Sequence, residues 1–152
     1  MKFILTSELN KLAKKLRFLG FNSTVCRSLS SHITVRLAIT EERVLLTRSV
    51  KLFKDKRQFK RFLVVDSDPI KQLEAVFKEY KLCSENIFTI CPECNHNLHP
   101  ITVDKIAIEL PPKVLANYSE FKVCRNCGHY YWKGTHYDRT IEHAQQMMEL
   151  YD

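Results

Sequence analysis

Two Cys-x-x-Cys pairs lie in the second half of the chain, Cys91 with Cys94 and Cys124 with Cys127. Each pair can hold one metal ion through two thiolates, and two pairs together form a closed tetrahedral Cys₄ site of the kind that binds Zn²⁺. Four thiolates leave no open coordination position, so we expect this zinc to be structural rather than catalytic. Gly128, directly after the second pair, suits the tight turn of a zinc knuckle.

The expected compartment supports metal ligation over disulfide formation. The apolar run that begins the chain is too short for a signal peptide, and no run approaches the ~18 residues of a membrane-spanning helix. We therefore expect a cytoplasmic protein, or one in another reducing intracellular compartment, with no membrane partner. In such a compartment cysteines are more often metal ligands or core thiols than disulfides. Cys26 and Cys83 have no nearby partner cysteine and are expected to be small buried residues.

The charge of the chain is unevenly distributed. The 152 residues carry a formal net charge of +7. Residues 1–90 contain 18 Lys and Arg against 9 Asp and Glu, whereas residues 91–152 contain 6 against 8. A net charge of +9 in the first part and −2 in the second indicates a polyanionic partner for the first part, although solubility alone would also favour excess charge.

The basic residues form three groups that can contact phosphates. One group lies on the polar side of the first predicted helix, one follows a predicted buried strand among phenylalanines, and one lies in the aromatic segment 130–137. The candidate nucleic-acid-binding residues are Lys11, Lys14, Lys15, Arg17, Arg48, Lys54, Lys56, Arg57, Lys60, Arg61, Lys133 and His136. The alternatives are a solvated helix face for the charge run and, favoured for Tyr131, a strand that packs on the zinc module.

Apolar periodicity predicts alternating strands and helices in the first ninety residues. The predicted strands are Lys2–Leu5, Phe21–Val25, Arg43–Thr47 and Arg61–Val65. The predicted helices are 8–19, with Thr6 or Ser7 as N-cap and Gly20 just past its end, a second from Ser30 or Ser31 through Ala38, Lys51–Phe59, and a fourth from Pro69 to about Tyr80.

This alternation indicates an α/β fold with a mostly parallel sheet flanked by helices, followed by a small Cys₄ zinc-ribbon module. We expect a division into residues 1–90 and residues 91–152, the latter ending in a helix. The carboxyl ends of parallel strands gather ligands. The segments Thr6-Ser7-Glu8, Thr47-Arg48-Ser49 and Asp66-Ser67-Asp68 should therefore lie near one another.

The order of these motifs resembles the Mut-seven C-terminal RNase family, whose members have a PIN-like nuclease domain with a zinc ribbon. The resemblance extends from Met1 to about Met147. It rests on Leu9-x-Lys11-Leu12-Ala13-x-x-Leu16-Arg17-x-Leu19-Gly20, on Arg43-Val44-Leu45-Leu46-Thr47-Arg48 and Gln72-Leu73, and on the two knuckles followed by Tyr131-Trp132-Lys133-Gly134-Thr135-His136. It implies a PIN-like sandwich, RNA as substrate, and an acid cluster that holds Mg²⁺ or Mn²⁺.

The chain departs from the family at these acids. The positions where the family usually has Asp are Thr6, Ser31 or His32, and Ser49. Mg²⁺ is normally held by carboxylates, which neutral hydroxyls do not replace. Asp66, Asp68 and Glu8 remain as candidate catalytic residues for one metal ion. The favoured alternative for Asp66-Ser67-Asp68-Pro69 is a strand-to-helix turn with an N-cap.

Three functions follow from these patterns. The leading hypothesis is an RNA-binding protein with a degenerate nuclease site, acting within a ribonucleoprotein or by masking an RNA site. The second is an active metal-dependent ribonuclease that uses Asp66, Asp68 and Glu8. The third is a module whose zinc ribbon binds a protein partner.

Overall fold

The computed structural model describes residues 1–28, 30–83 and 86–151. The first part of the chain contains four strands that form one parallel sheet in the order β2-β1-β3-β4. The strands are β1 (Phe3–Thr6), β2 (Ser23–Cys26), β3 (Val44–Thr47) and β4 (Arg61–Leu63). The helices are α1 (Asn10–Phe18), α2 (Ser31–Thr40), α3 (Val50–Phe53) and α4 (Pro69–Tyr80).

Helices cover both faces of this sheet. Phe3 and Leu5 of β1 point into the larger core, with residues of α1 and α4, whereas Ile4 points into a smaller core, with residues of α2 and α3. Side chains alternate between the two faces of a strand, so a strand covered on both faces is apolar at every position. The continuous runs of β1 and β3 arise from this double burial, and the predicted α/β class is confirmed.

The chain reverses its direction across the sheet between β1 and β3. It passes from β1 over one face to β2 through α1, then returns over the other face to β3 through α2. Such a reversal leaves a crevice at the carboxyl ends of the two central strands, where α/β proteins bind ligands. In this chain the crevice lies beside Thr6 and Thr47, the last residues of β1 and β3.

Two predicted elements are shorter than the sequence indicated. The basic run forms only the one-turn helix α3, and Lys54–Lys60 is irregular. The Asp55 carboxylate accepts a hydrogen bond from the backbone N–H of Arg57 at 3.0 Å, a local turn that competes with helix formation. Strand β4 ends at Leu63, and Val65, predicted to be buried, is 78% exposed.

The start of the first helix also differs from the prediction. A 3-10 turn (Ser7–Leu9) precedes α1, and neither Thr6 nor Ser7 caps it through a side chain. The Thr6 hydroxyl instead donates to the Glu8 carboxylate. The predicted end is correct, since Gly20 follows the helix with φ of 87°, a left-handed conformation that glycine adopts without strain.

The second part contains a three-stranded antiparallel sheet in the order β5-β6-β7 and ends in a long helix. Its elements are β5 (Leu98–Ile101), a 3-10 turn (Val103–Lys105), α5 (Pro112–Asn117), β6 (Phe121–Cys124), β7 (Tyr130–Trp132) and α6 (Thr135–Tyr151). Helix α6 packs against α4. Within the described residues, no helix is both long enough and apolar enough to cross a membrane.

The two parts share one hydrophobic core. Phe18 of α1 packs against Phe88 and Tyr137, with ring centroids 5.6 Å apart in each pair. The Phe88 N–H donates to the Phe18 carbonyl at 2.8 Å, and a Cβ at Gly20 would lie 2.2 Å from the carbonyl oxygen of Asn86. Asn86 and Phe88 therefore lie directly against the end of α1.

Candidate functional site

The four cysteines of the two pairs converge on one point. Their Sγ atoms all lie within 4.8 Å of one another, with Cys91 to Cys127 at 3.6 Å and Cys94 to Cys124 at 3.3 Å. Zn–S bonds of about 2.3 Å in a tetrahedron place the sulfurs about 3.8 Å apart. The donor set fits one Zn²⁺ and leaves no position for substrate, so a metal here has a structural role.

The two pairs have the same backbone geometry. The N–H of the residue after each pair, Asn95 or Gly128, donates to the carbonyl of the first cysteine, at 2.9 Å and 2.8 Å. Both residues have left-handed backbones, with φ of 67° and 77°. Gly128 was predicted for this position from its conformational freedom. Asn95 was missed, although Asn is the residue type that tolerates this conformation best after Gly.

Neighbouring polar groups contact the sulfurs. The Tyr131 hydroxyl lies 3.1 Å from Cys91 Sγ, and His129 Nδ1 lies 3.1 Å from Cys127 Sγ. Burial raises the pKa of Tyr131, and the hydrogen bond with Cys91 raises it further. The phenol thus stays protonated and can donate to a thiolate. Tyr131 also packs edge-on against Phe88, as the strand interpretation of this segment predicted.

Arg17 connects the first knuckle to the parallel sheet. Its Nε donates to the carbonyl of Ser23 at 2.8 Å, and an Nη donates to the carbonyls of Pro92 and Glu93 at 2.8 and 3.1 Å. Burial lowers the pKa of Arg17, while the charges of Cys91 and Cys94 oppose that shift. Arg17 was expected on the polar side of α1, but it is only 5% exposed. Its guanidinium is engaged inside the protein, which argues against contact with RNA.

Asn95 makes a second connection between the knuckle and the sheet. Its side-chain oxygen accepts from the Ser23 N–H at 2.8 Å, and its Nδ2 donates to Asn22 Oδ1 at 3.1 Å. The same residue therefore forms the knuckle turn and binds the start of β2. The two unpaired cysteines differ from each other, since Cys26 is buried as predicted whereas Cys83 is exposed.

Hydroxyl groups occupy the crevice at the ends of the central strands. Thr6 Oγ1 lies 3.3 Å from Thr47 Oγ1, which in turn accepts from the Ser49 N–H at 3.0 Å. Ser49 Oγ accepts from the Leu52 N–H and thereby caps α3. Glu8 is the carboxylate at this point, and it receives hydrogen bonds from the Thr6 hydroxyl and from the Arg48 N–H. The first two predicted strand ends are thus brought together.

Asp66 and Asp68 form the turn between β4 and α4. Asp66 Oδ1 accepts from the Asp68 N–H at 2.8 Å, and Asp68 Oδ1 caps α4 by accepting from the Ile70 N–H at 2.9 Å. These are the contacts of the predicted strand-to-helix turn. Among the described residues, the cysteine cluster is the one group of three or more His, Cys, Asp or Glu placed to hold a metal ion. Glu8, Asp66 and Asp68 do not form such a group.

The basic run that follows β3 contains two arginines that are paired within the protein and several exposed lysines. Arg57 binds Asp55 through a 2.7 Å ion pair, which lowers the pKa of Asp55, and reaches His32 at 3.3 Å. Arg61 donates to the Asp55 carbonyl and stacks over Phe59, 4.6 Å from the ring centre. The remaining candidates of this run, Lys54, Lys56 and Lys60, are exposed. Arg48, which directly follows β3, is also exposed.

The other basic candidates lie around the second part. A groove between α1 and the β7–α6 connection collects Lys11, Lys14, Lys15 and His136. Lys133 lies outside this groove, 3.4 Å from Glu120, with its ammonium 5.7 Å from the Tyr137 ring centre. The structure therefore gathers four of the twelve predicted RNA-binding residues in one depression.

The fold and the cysteine cluster define an α/β domain with an associated group of four cysteines placed to hold a metal ion. The Mut7-C RNAse domain model matches residues 1–144, and the chain belongs to this family. A search of curated proteins and a search of solved structures each found no match.

Proposed function

We propose that this protein binds RNA without hydrolysing it, through a family nuclease site that has lost its acids. The observation that carries the proposal is that the hydroxyl residues Thr6 and Ser49 lie together at the carboxyl edge of the sheet, each in contact with Thr47 Oγ1. Hydroxyls and one carboxylate stand where metal-dependent hydrolysis needs several carboxylates. Membership of a ribonuclease-domain family supports RNA as the ligand.

The charge around this edge supports binding. Each acid replaced by a hydroxyl removes repulsion against phosphate, and the exposed Arg48 and Lys54 add attraction. Arg57, beside His32, neutralises Asp55. Phosphate contacts position a nucleic acid without reading its bases, so we expect affinity with little sequence preference.

Salt dependence and cleavage test the proposal together. Binding of a fluorescent single-stranded RNA should weaken steeply as salt rises. The variant Lys54→Ala/Lys56→Ala should reduce the slope of log affinity against log salt by up to about 1.4, if both lysines contact phosphates. The matched control is Lys2→Ala/Lys78→Ala, which removes two exposed lysines, one directly before β1 and one in the last turn of α4. Absent or salt-independent binding contradicts the proposal.

The competing nuclease hypothesis is decided in the same preparation. With Mg²⁺ or Mn²⁺ added, we expect no RNA cleavage. Metal-dependent cleavage that is lost in Asp66→Asn would establish the alternative site of Asp66, Asp68 and Glu8 and overturn a non-catalytic role. A protein partner for the zinc-ribbon part, and assembly into a ribonucleoprotein, stay predictions.

A further inference from the structure

The groove between α1 and the β7–α6 connection has a volume of about 580 Å³. This lies within the range of about 300–1,000 Å³ typical of ligand pockets. One wall belongs to the parallel-sheet part and the other to the zinc part. The groove residues used in the argument below are Lys11, Lys14, Lys15 and Pro69 on the first wall and Trp132, Gly134 and His136 on the second.

The lysine wall carries uncompensated positive charge. Lys14 forms a 2.8 Å ion pair with Glu93. The ion pairs found within the described residues do not include Lys11 or Lys15, which lie one helical turn apart on α1. Two such cations on one wall attract consecutive phosphates of a nucleic-acid backbone.

The opposite wall presents aromatic rings that are held in place by packing against other rings of the protein. Trp132 packs on Phe121 with centroids 6.2 Å apart, and the exposed His136 packs edge-on against Phe18 at 6.4 Å. Gly134 allows the chain to turn beneath Trp132, because a Cβ there would lie 3.2 Å from the indole Nε1. Rings held in this way are platforms on which unstacked bases can stack.

The groove begins beside the strand-end crevice. Lys11 lies in the first turn of α1, and Pro69, which also lines the groove, directly follows Asp68. A chain of nucleotides whose phosphates meet the carboxyl edge of the sheet can therefore continue between α1 and α6.

We infer that this groove binds unpaired RNA, with backbone phosphates on Lys11 and Lys15 and bases against Trp132 and His136. The inference rests on the proposed function and assigns the RNA's strandedness and path. Paired RNA cannot stack its bases on Trp132 and His136, because the faces of those bases are covered by neighbouring bases in the helix. The aromatic wall follows the second knuckle, so an intact zinc part is required for binding here.

Trp132 is the only tryptophan of the chain, so its fluorescence reports directly on the groove. The probe is a single-stranded oligouridine RNA of about 12 nucleotides, compared with an RNA duplex of equal length. We expect saturable quenching of Trp132 by the single strand and none by the duplex. Lys11→Ala/Lys15→Ala should shift the quenching midpoint roughly tenfold, whereas Lys2→Ala/Lys78→Ala shifts it less than about twofold.

The outcomes separate the two proposals. Binding of the single strand, seen by anisotropy, without a change in Trp132 fluorescence overturns the groove but leaves RNA binding standing. Equal quenching by the duplex overturns the inference, as does equal affinity of the Lys11/Lys15 variant and the control. Absence of RNA binding by the wild-type protein overturns both proposals.

Discussion

The cysteine cluster and the strand-end crevice are both places where the fold gathers polar side chains, yet among the described residues only the cluster has the ligands for a metal ion. Four thiols from two equivalent turns converge at the cluster. At the crevice the backbone scaffold of an α/β site is present, but Thr6, Thr47 and Ser49 supply hydroxyls. The chemistry that each place can carry out therefore depends on its side chains and not on the fold alone.

Loss of one cysteine ligand should have the largest effect of the changes considered. The wild-type protein should contain about one zinc ion per chain. Cys94→Ser should abolish zinc content and lower the free energy of unfolding by more than about 4 kcal/mol, because metal binding to the cluster is coupled to folding. Metal analysis and urea denaturation measure both.

The exposed Cys83 provides the matched control. Cys83→Ser should retain zinc and wild-type stability. A metal-free wild-type protein with the stability of the zinc-loaded form would show that the cluster is a thiol core instead.

Removal of the buried arginine should have the next largest effect. Arg17→Ala leaves the carbonyls of Ser23, Pro92 and Glu93 without their donor, and we expect a loss of about 3 kcal/mol of unfolding free energy. Arg17→Lys should recover only part of this, since an ammonium lacks the planar fork. Lys11→Ala, on the same helix but exposed, should change stability little. Equal effects at both positions would contradict the connecting role of Arg17.

Introducing acids at the crevice should create a site where a bound metal ion stabilises the folded protein, as is expected at the cysteine cluster. Thr6→Asp/Ser49→Asp places two carboxylates near Glu8, and their repulsion should lower unfolding free energy by about 1–2 kcal/mol. Mn²⁺ should reverse this loss, because it binds the folded state alone. Thermal denaturation with and without Mn²⁺ measures the response.

The matched variant is Thr6→Asn/Ser49→Asn, which has similar size and no added charge. It should not respond to Mn²⁺. The same absence of response in the Asp variant would show that the scaffold no longer has the geometry of a metal site.

The smallest effect concerns the helix cap. Asp68→Ala should cost about 1 kcal/mol of unfolding free energy through loss of the bond from the Ile70 N–H, and Asp68→Ser should restore it. RNA affinity should rise slightly, and equally in both variants, because each removes one negative charge beside the crevice. If Asp68→Ser does not restore the unfolding free energy of the wild-type protein, the carboxylate stabilises the fold by more than capping α4.

Local patterns in the sequence predicted the parallel sheet and the metal cluster. Strands covered on both faces are apolar at every position, which made β1 and β3 visible as continuous apolar runs. The Cys-x-x-Cys spacing is typical of two ligands to one metal ion, so it predicted that the four cysteines converge. The strand ends Thr6 and Thr47 could be placed together because parallel strands share an edge.

Long-range contacts could not be predicted in the same way. In the sequence, Arg17 is grouped with the lysines on the polar side of the first helix. Only its hydrogen bonds to the carbonyls of residues 92 and 93, which pack against α1, show that it is buried. Asp55 shortens the basic helix through a bond to the second residue after it, which competes with helix propensity. The groove depends on two segments more than a hundred residues apart in sequence.

The shared core at Phe18 has a consequence for the order in which the protein is made. Chains are synthesised from the amino terminus, so the strands of the parallel sheet, which end at Leu63, leave the ribosome before residue 137. Until Phe88 and Tyr137 arrive, Phe18 presents an uncovered aromatic surface that favours association with other chains. The time needed to synthesise residues 88–137 therefore sets how long this surface stays uncovered.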